Sequence, residues 1–373
     1  MNKKQNVFYW VNHLSKNGNL NSGIQRVTRM LAKYCPKKIN LIPVKWVDNK
    51  LVELNHKELN NIKQFNGPDI KKYHKISLLR LENSKLLIPE LLTEFNLNDW
   101  KNFELFMKKK NIELYVILYD LIPLKIKIFY SNIITKNHSI YCKKILKFKK
   151  IFPISEYVAN DLKKYFYFRY FFGFLKNIKT IQISGEVHKK KLKLNKKILN
   201  PNFFNILCVS SIEKRKNIKI LADAIKNLNR KKYNIKLILI GAMLDKNYYE
   251  SLFNKHIEYL KVTSHSTLQN IYHEAHLVAY PSTEEGFGMP VVEALWHKKN
   301  IICHNASVFE EIYNTYDKKI TMIDMRNSRE INKKILFFYK NNIKEKKNIN
   351  EIDLKKFKTW KQYSCEIFNE IIN

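Results

Sequence analysis

The stretch PSTEEGFGMPVVEAL, residues 281–295, decides the fold of this chain. It follows LVAY, residues 277–280, an apolar run that is brief, unbroken and stopped by proline, and so reads as a buried strand. Gly286 and Gly288 then mark a loop, and Pro290 suits the first turn of a helix, where a backbone N–H would lack a partner in any case. Strand, glycine loop and helix N-terminus in that order aim backbone N–H groups and the positive end of a helix dipole at an anion, usually a phosphate. Two carboxylates stand on the same device, Glu285 in the loop and Glu293 in the helix. A carboxylate repels an anion but accepts hydrogen bonds from neutral hydroxyls, and a phosphate flanked by hydroxyl acceptors describes a sugar nucleotide. The plainer alternative is an ordinary strand-to-helix loop with two surface glutamates.

Around this stretch the C-terminal half alternates strand and helix. FFNILCVSS and IKLILIGAM read as strands, and IEKRKNIKILADAIKNL between them as a loop and a helix. IEYLKVTS, a helix around LQNIYHEA, and KNIICHNAS complete a pattern that implies a parallel, doubly wound sheet. EKRKN, residues 213–217, follows the first of these strands, where a ligand lying across strand ends would meet it. In the N-terminal half VFYWV, residues 7–11, is the first strand, and Gly23 opens a helix with Ile24, Val27, Met30 and Leu31 on one face. Residues 41–54 read as further strand and residues 55–102 as a variable, helix-poor region. Residues 165–179, YFYFRYFFGFLKNIK, are aromatic and framed by Lys163, Lys164, Arg169 and Lys176; this suits either a bilayer interface or a core helix. SGEVHKKKLKLNKKILNPN, residues 184–202, has no sustained apolar period and reads as a linker.

With 373 residues the chain is long enough for two cores. Five scattered cysteines, never in C-x-x-C spacing, point to a reducing compartment. No apolar run approaches the ~18 residues of a membrane span, and the N-terminus turns polar too early for a signal peptide. The net charge of +35 comes overwhelmingly from Lys spread along the chain, whereas Arg occurs only at positions 26, 29, 80, 169, 215, 230, 326 and 329. Base-reading proteins lean on the arginine fork, so this distribution argues against nucleic acid and leaves an anionic membrane surface open. Glycine numbers only 8, about a third of ordinary usage, and the survivors are expected where no side chain is tolerated.

EGFGMPVVEAL, with Glu285 and Glu293 in E-x7-E spacing, resembles the signature of family-four retaining glycosyltransferases of GT-B fold. That resemblance implies that Glu285 holds the donor sugar and Glu293 the ribose. It also implies that the backbone of Gly286, Phe287, Gly288, Met289 and Pro290 faces sugar and diphosphate. Lys216 resembles the family lysine that binds the diphosphate; many members carry an arginine where this chain has Ser211, and Arg215 offers the second charge. The string SGIQRV resembles the G-I-x-R-V element of a subgroup acting in bacterial surface polysaccharide (O-antigen or capsule) assembly, with Gly23 against the donor diphosphate. LYDLIP resembles the family's H-D-L-I-P element, but Tyr119 replaces the histidine beside Asp120, leaving Tyr119 and Asp120 as sugar or acceptor contacts. ISEYVANDL and the terminal FKTWKQYS helix resemble further family elements.

The expected architecture is α/β, two Rossmann-like doubly wound parallel-sheet domains of GT-B type facing a central cleft. Its parts are residues 1–184 on the acceptor side, a linker at 185–202, a nucleotide-sugar-binding domain at 203–350, and a helix at 351–373 crossing back to the first domain. The expected activity is metal-independent transfer, with retention, of a sugar such as mannose or a related hexose. The donor is a nucleoside diphosphate sugar and the acceptor a hydroxyl of a growing lipid-linked surface glycan. Lys216, Arg215 and Glu285 would carry the reaction, with no metal and no cofactor. The expected place is cytoplasmic, peripheral at the inner face of the cytoplasmic membrane. The alternatives are a GT-B sugar nucleotide epimerase or phosphorylase, and a non-catalytic basic protein binding nucleic acid or membrane.

Overall fold

Apolar runs buried on both faces are what parallel sheets require, and here they form two of them. The computed structural model describes residues 4–18, 21–70, 81–167, 177–187, 198–252, 254–261, 264–316, 320–344 and 352–373. The chain divides into two compact units, Met1–Ser184 with Lys358–Asn373, and Gly185–Phe357.

In the first unit the strands are β1 (Gln5–Trp10), β2 (Ile39–Val47), β3 (Lys50–Glu53), β4 (Lys85–Ile88), β5 (Glu113–Leu118) and β6 (Lys150–Pro153). Their spatial order is β3-β2-β1-β4-β5-β6. All neighbours are parallel except β2 and β3, which form a hairpin. Residues 41–54, read as further strand, are strand in two pieces, most of β2 and all of β3. Asp48 (φ 48°) and Asn49 (φ 61°) are both left-handed, the conformation of a two-residue hairpin turn, and Asp and Asn tolerate it better than other non-glycine residues.

The region 55–102 also differs from its helix-poor reading. Asn55 caps the helix His56–Lys63 by accepting from the Glu58 N–H at 3.0 Å, while Glu58 accepts from the Asn55 N–H at 2.9 Å. Asn96 and Asp99 make the same reciprocal cap on the helix Leu97–Lys109. That box pattern was legible in the sequence. Trp100 and Phe103 of this helix are fully buried, Phe103 edge to face with Trp10 of β1 at 5.8 Å and with Trp100 at 5.9 Å.

The chain's last helix, Trp360–Ile372, also belongs to the first unit. Thr359 caps it, and Trp360, Tyr363, Ile367, Phe368 and Ile371 are buried. Each such side chain contributes about 1.5–3 kcal/mol when removed from water. Ser364 Oγ donates to the Leu31 carbonyl at 3.0 Å, and Lys150 of β6 pairs with Glu370 at 2.6 Å, so polar groups set the helix's register on this unit.

The second unit contains β7 (Phe204–Val209), β8 (Ile235–Ile240), β9 (Ile257–Tyr259), β10 (Leu277–Tyr280), β11 (Ile301–His304) and β12 (Ile320–Ile323). The order is β12-β11-β10-β7-β8-β9, parallel throughout. In both units the first strand is central, the next two are laid down on one side, and the fourth returns to its other side. This is the Rossmann order, and it creates a crevice where loops leaving the first and fourth strands diverge. Most of the aromatic run 165–174 and of the linker 185–202 lies outside the described residues, as does part of 351–373.

Candidate functional site

In the second unit the switch lies between β7 and β10, and the two stretches singled out in the sequence occupy it. After β7 the chain passes Ser211 and Glu213, makes a tight turn at Lys214–Lys216, and enters the helix Ile218–Arg230 through Asn217. After β10 it runs through residues 281–288 into the helix Met289–Trp296. Lys216 and Glu285, 69 residues apart in sequence, form an ion pair here. Their side chains are only 9% and 12% exposed. The same carboxylate oxygen accepts from the Tyr280 hydroxyl at 2.8 Å, and Arg215 Nη1 lies 4.0 Å from it while donating to the Glu284 carbonyl at 3.3 Å.

Burial alone would raise the Glu285 pKa, but Lys216 and Arg215 outweigh it and hold the carboxyl below its ordinary value. Burial, and then Glu285, push the Tyr280 hydroxyl well above its ordinary range, so it stays protonated and donates. The result is an ionised acceptor and two cations concentrated in one low-dielectric crevice.

The glycine loop is shaped by its neighbours. Gly288 has φ 87°, and a Cβ there would lie 2.6 Å from Phe309 Cε1. Phe287 is itself buried. Pro290 sits in the first turn of the helix. Glu293, one turn further on, is buried and accepts from the Tyr272 hydroxyl at 3.2 Å, and Tyr272 stacks flat on His297 at 4.5 Å.

Several roles at the site were not legible in the sequence. Glu213 accepts from Ser211 Oγ at 2.7 Å and from Arg215 Nη2 at 3.1 Å, so Ser211 acts on the site by orienting Arg215 through Glu213. Asn217 is left-handed (φ 55°), and its amide donates to the Met325 carbonyl at 2.9 Å and the Pro281 carbonyl at 3.4 Å, stitching the two loops together. An Asn just before a helix was the available signal. Gly241, at the end of β8, is also positive in φ (154°), and a Cβ there would strike the Ser210 carbonyl oxygen. Tyr280 gave no signal beyond an aromatic at a strand end.

Gly23, Tyr119 and Asp120 belong to the first unit. Gly23 opens the helix Gly23–Lys33 behind a Ser22–Gln25 capping box, and it is exposed. The Tyr119 hydroxyl does not face a ligand. It is buried and donates to the Pro89 carbonyl at 2.6 Å, bridging the ends of β5 and β4, because a phenol excluded from water takes the nearest acceptor. Asp120 accepts from the Ile122 N–H at 3.0 Å, and its carbonyl lies 3.1 Å from His138 Nε2. At this unit's own switch, between β1 and β4, stands Glu90. It is buried, accepts from the His13 and Leu14 N–H groups at 2.7 and 2.8 Å, and is raised by burial to about 7 despite those bonds.

Two sheets of Rossmann order, the second bearing cations and carboxylates at its switch point, define a GT-B fold. Residues 189–355 match the family model described as glycosyl transferases group 1. Over 200 residues the chain is 28% identical to an uncharacterized glycosyltransferase of Methanocaldococcus jannaschii, covering 49% of this chain and 51% of that protein. The chain thus spans about half the length of the curated relative it matches. Similar solved structures include Anabaena HepE in complex with UDP and glucose (TM-score 0.58, 14% identity, 99% of this chain and 96% of that one). Another is the UDP-forming α,α-trehalose-phosphate synthase of Burkholderia vietnamiensis (TM-score 0.62, 8% identity, 99% and 98%). A third is a point mutant of S. aureus TarM in complex with UDP and sugar ligands (TM-score 0.58, 14% identity, 87% and 60%). At such identities the likeness is one of fold.

Proposed function

We propose that this protein is a group 1 glycosyltransferase that moves a sugar from a nucleoside diphosphate donor to a hydroxyl, with retention at the anomeric carbon. The observation that carries this is the junction of Lys216, Arg215 and Glu285 at the β7/β10 switch, ahead of a helix N-terminus entered through Gly288. In the reaction the bond between the anomeric carbon and the diphosphate oxygen breaks as the acceptor hydroxyl oxygen bonds that carbon on the same face, its proton passes to the departing diphosphate, and negative charge gathers on that leaving group. Lys216, Arg215 and the amides of residues 286–289 are fixed donors for that charge, an oxyanion-hole contribution that needs no metal. Glu285, kept ionised by its cations, accepts from sugar hydroxyls, and Glu293 accepts from the ribose. The UDP-bound HepE and the UDP-forming synthase support a nucleoside diphosphate donor.

A hexose such as mannose, a lipid-linked surface glycan as acceptor and a station at the inner face of the cytoplasmic membrane complete the proposal. These rest on the likeness of SGIQRV and YDLIP to the polysaccharide-assembly subgroup. The test is release of nucleoside diphosphate from a panel of sugar nucleotides, with chelator present. Wild type turns over slowly and Glu285→Gln loses about 100-fold or more, the scale of removing one preorganised transition-state group. Equal rates in the two proteins, or a strict requirement for Mg2+ or Mn2+, refute it.

A further inference from the structure

Large apolar side chains are strongly exposed at twelve described positions, and four of them fall within seven residues: Ile128 (88%), Phe129, Ile133 (71%) and Ile134. Scattered exposed apolar residues need no explanation, but a run this dense marks a binding surface. Residues 127–129 form a single tight turn, and Ile133 and Ile134 open the helix Asn132–Ile145, so all four project from one bend. Lys125 joins this bend to the helix Glu156–Tyr165. It pairs with Asp161 at 2.7 Å and lies 4.4 Å from the Tyr157 ring centre. Tyr165, at the end of that helix, and Tyr167 are also exposed, and a shallow depression of about 250 Å³ between the two elements is lined by Leu121, Lys125, Asp161, Lys164 and Tyr165.

The charge along this segment has one sign. From residue 121 to residue 155 the chain has no Asp or Glu, but lysines at 125, 127, 136, 143, 144, 147, 149 and 150. Lys125, Lys144, Lys149 and Lys150 are taken up by carboxylates from other segments. Lys127, Lys136, Lys143 and Lys147 are exposed, with no ion pair among the described residues. Ile133, Lys136 and Lys143 follow one another at helical spacing, so the exposed apolar end of the helix continues into a lysine stripe on the same side.

We propose that this bend, Ile128 and Phe129 with Ile133 and Ile134, is a docking surface for an anionic lipid bilayer. The apolar side chains enter the region between headgroups and acyl chains, and Lys127, Lys136 and Lys143 meet the anionic headgroups. Interfacial segments combine these features, apolar side chains beside a row of lysines. No helix among the described residues is long and apolar enough to cross a membrane, so the attachment is peripheral. The proposal deepens the membrane half of the reading above, but vesicle binding needs neither donor nor turnover, so the two fail separately.

The experiment is co-sedimentation of the full chain with phosphatidylcholine vesicles with and without phosphatidylglycerol, at low and raised salt. Wild type binds the anionic vesicles and is released as salt rises. Ile128→Ser/Ile133→Ser, whose sites are exposed and whose fold is checked by circular dichroism, binds about tenfold more weakly or worse. Lys127→Glu/Lys136→Glu loses the salt-dependent part, while Leu244→Ser, an exposed apolar control in the other unit, binds as wild type does. Indifference of wild type to anionic vesicles at low salt overturns the proposal, as does equal binding by the Ile128→Ser/Ile133→Ser variant. A concentration-dependent dimer in sedimentation velocity that this variant abolishes, with vesicles ignored, assigns the patch to a second copy of the chain instead.

Discussion

Replacing Lys216 by Met removes the cation that compensates Glu285 and leaves a comparably long side chain in its place. The carboxylate is then buried with Arg215 at 4.0 Å and the Tyr280 hydroxyl at 2.8 Å, but without its close ionic partner. Breaking a buried pair costs about 3–5 kcal/mol, and the residual exposure of about a tenth places this one near 3 kcal/mol. For a unit of this size that lowers Tm by about 6–12 °C. The sign of the pH dependence makes the test sharper. In wild type the Glu285 pKa is depressed, so its contribution is present above the unfolded carboxylate value and is lost as pH falls through the folded one. In Lys216→Met, burial is opposed mainly by Arg215, the folded pKa rises, and stability instead falls as pH rises. The difference between the two proteins is therefore large near neutrality and closes toward about pH 4. Differential scanning calorimetry of the full chain across that range measures it, with Lys216→Met/Glu285→Gln expected to recover most of the loss. A deficit that is the same at every pH, or smaller than about 1 kcal/mol at neutrality, would show that the pair is not electrostatically coupled as described.

Glu90 is expected to act with the opposite sign from wild-type Glu285. Its folded pKa of about 7 lies above the ordinary 4.5, so stability is greatest below 4.5 and falls by about 3 kcal/mol as pH rises to about 7. Glu90→Gln should flatten that slope, and urea midpoints for the two proteins across the window will show whether it does. Gly288→Ala should cost about 2 kcal/mol or more, from a side chain forced to φ 87° and from the Phe309 ring edge 2.6 Å from the new Cβ. Gly288→Ala/Phe309→Leu should regain only the share due to the clash, as read from Tm; full recovery would mean that backbone strain contributes nothing.

Much of the second unit was legible because its signals are local. LVAY is buried at every position because a parallel strand has two covered faces, and Gly288 survives in a glycine-poor chain because its φ admits little else. The hairpin turn at Asp48–Asn49 and the caps at Asn55 and Asn96 are equally local, the caps written in side chains that bond nearby backbone, although residues 55–102 read as helix-poor chain.

The sequence by itself thus determined the alternation of strands and helices, the glycine loop and the residue types at the site. Strand order was beyond its reach, since nothing in FFNILCV or LVAY says that β7 and β10 are neighbours with 67 residues between them. That adjacency brings Lys216 onto Glu285, lets Tyr280 donate to the same oxygen, and leaves Glu213 to aim Arg215. Packing likewise turns Tyr119 inward to the Pro89 carbonyl, where a sugar contact was expected. A chain records which residues want to be buried or charged. Which partners they meet is settled when the sheet closes around them and water is excluded, because only then does each buried polar group have to find an acceptor or donor within reach.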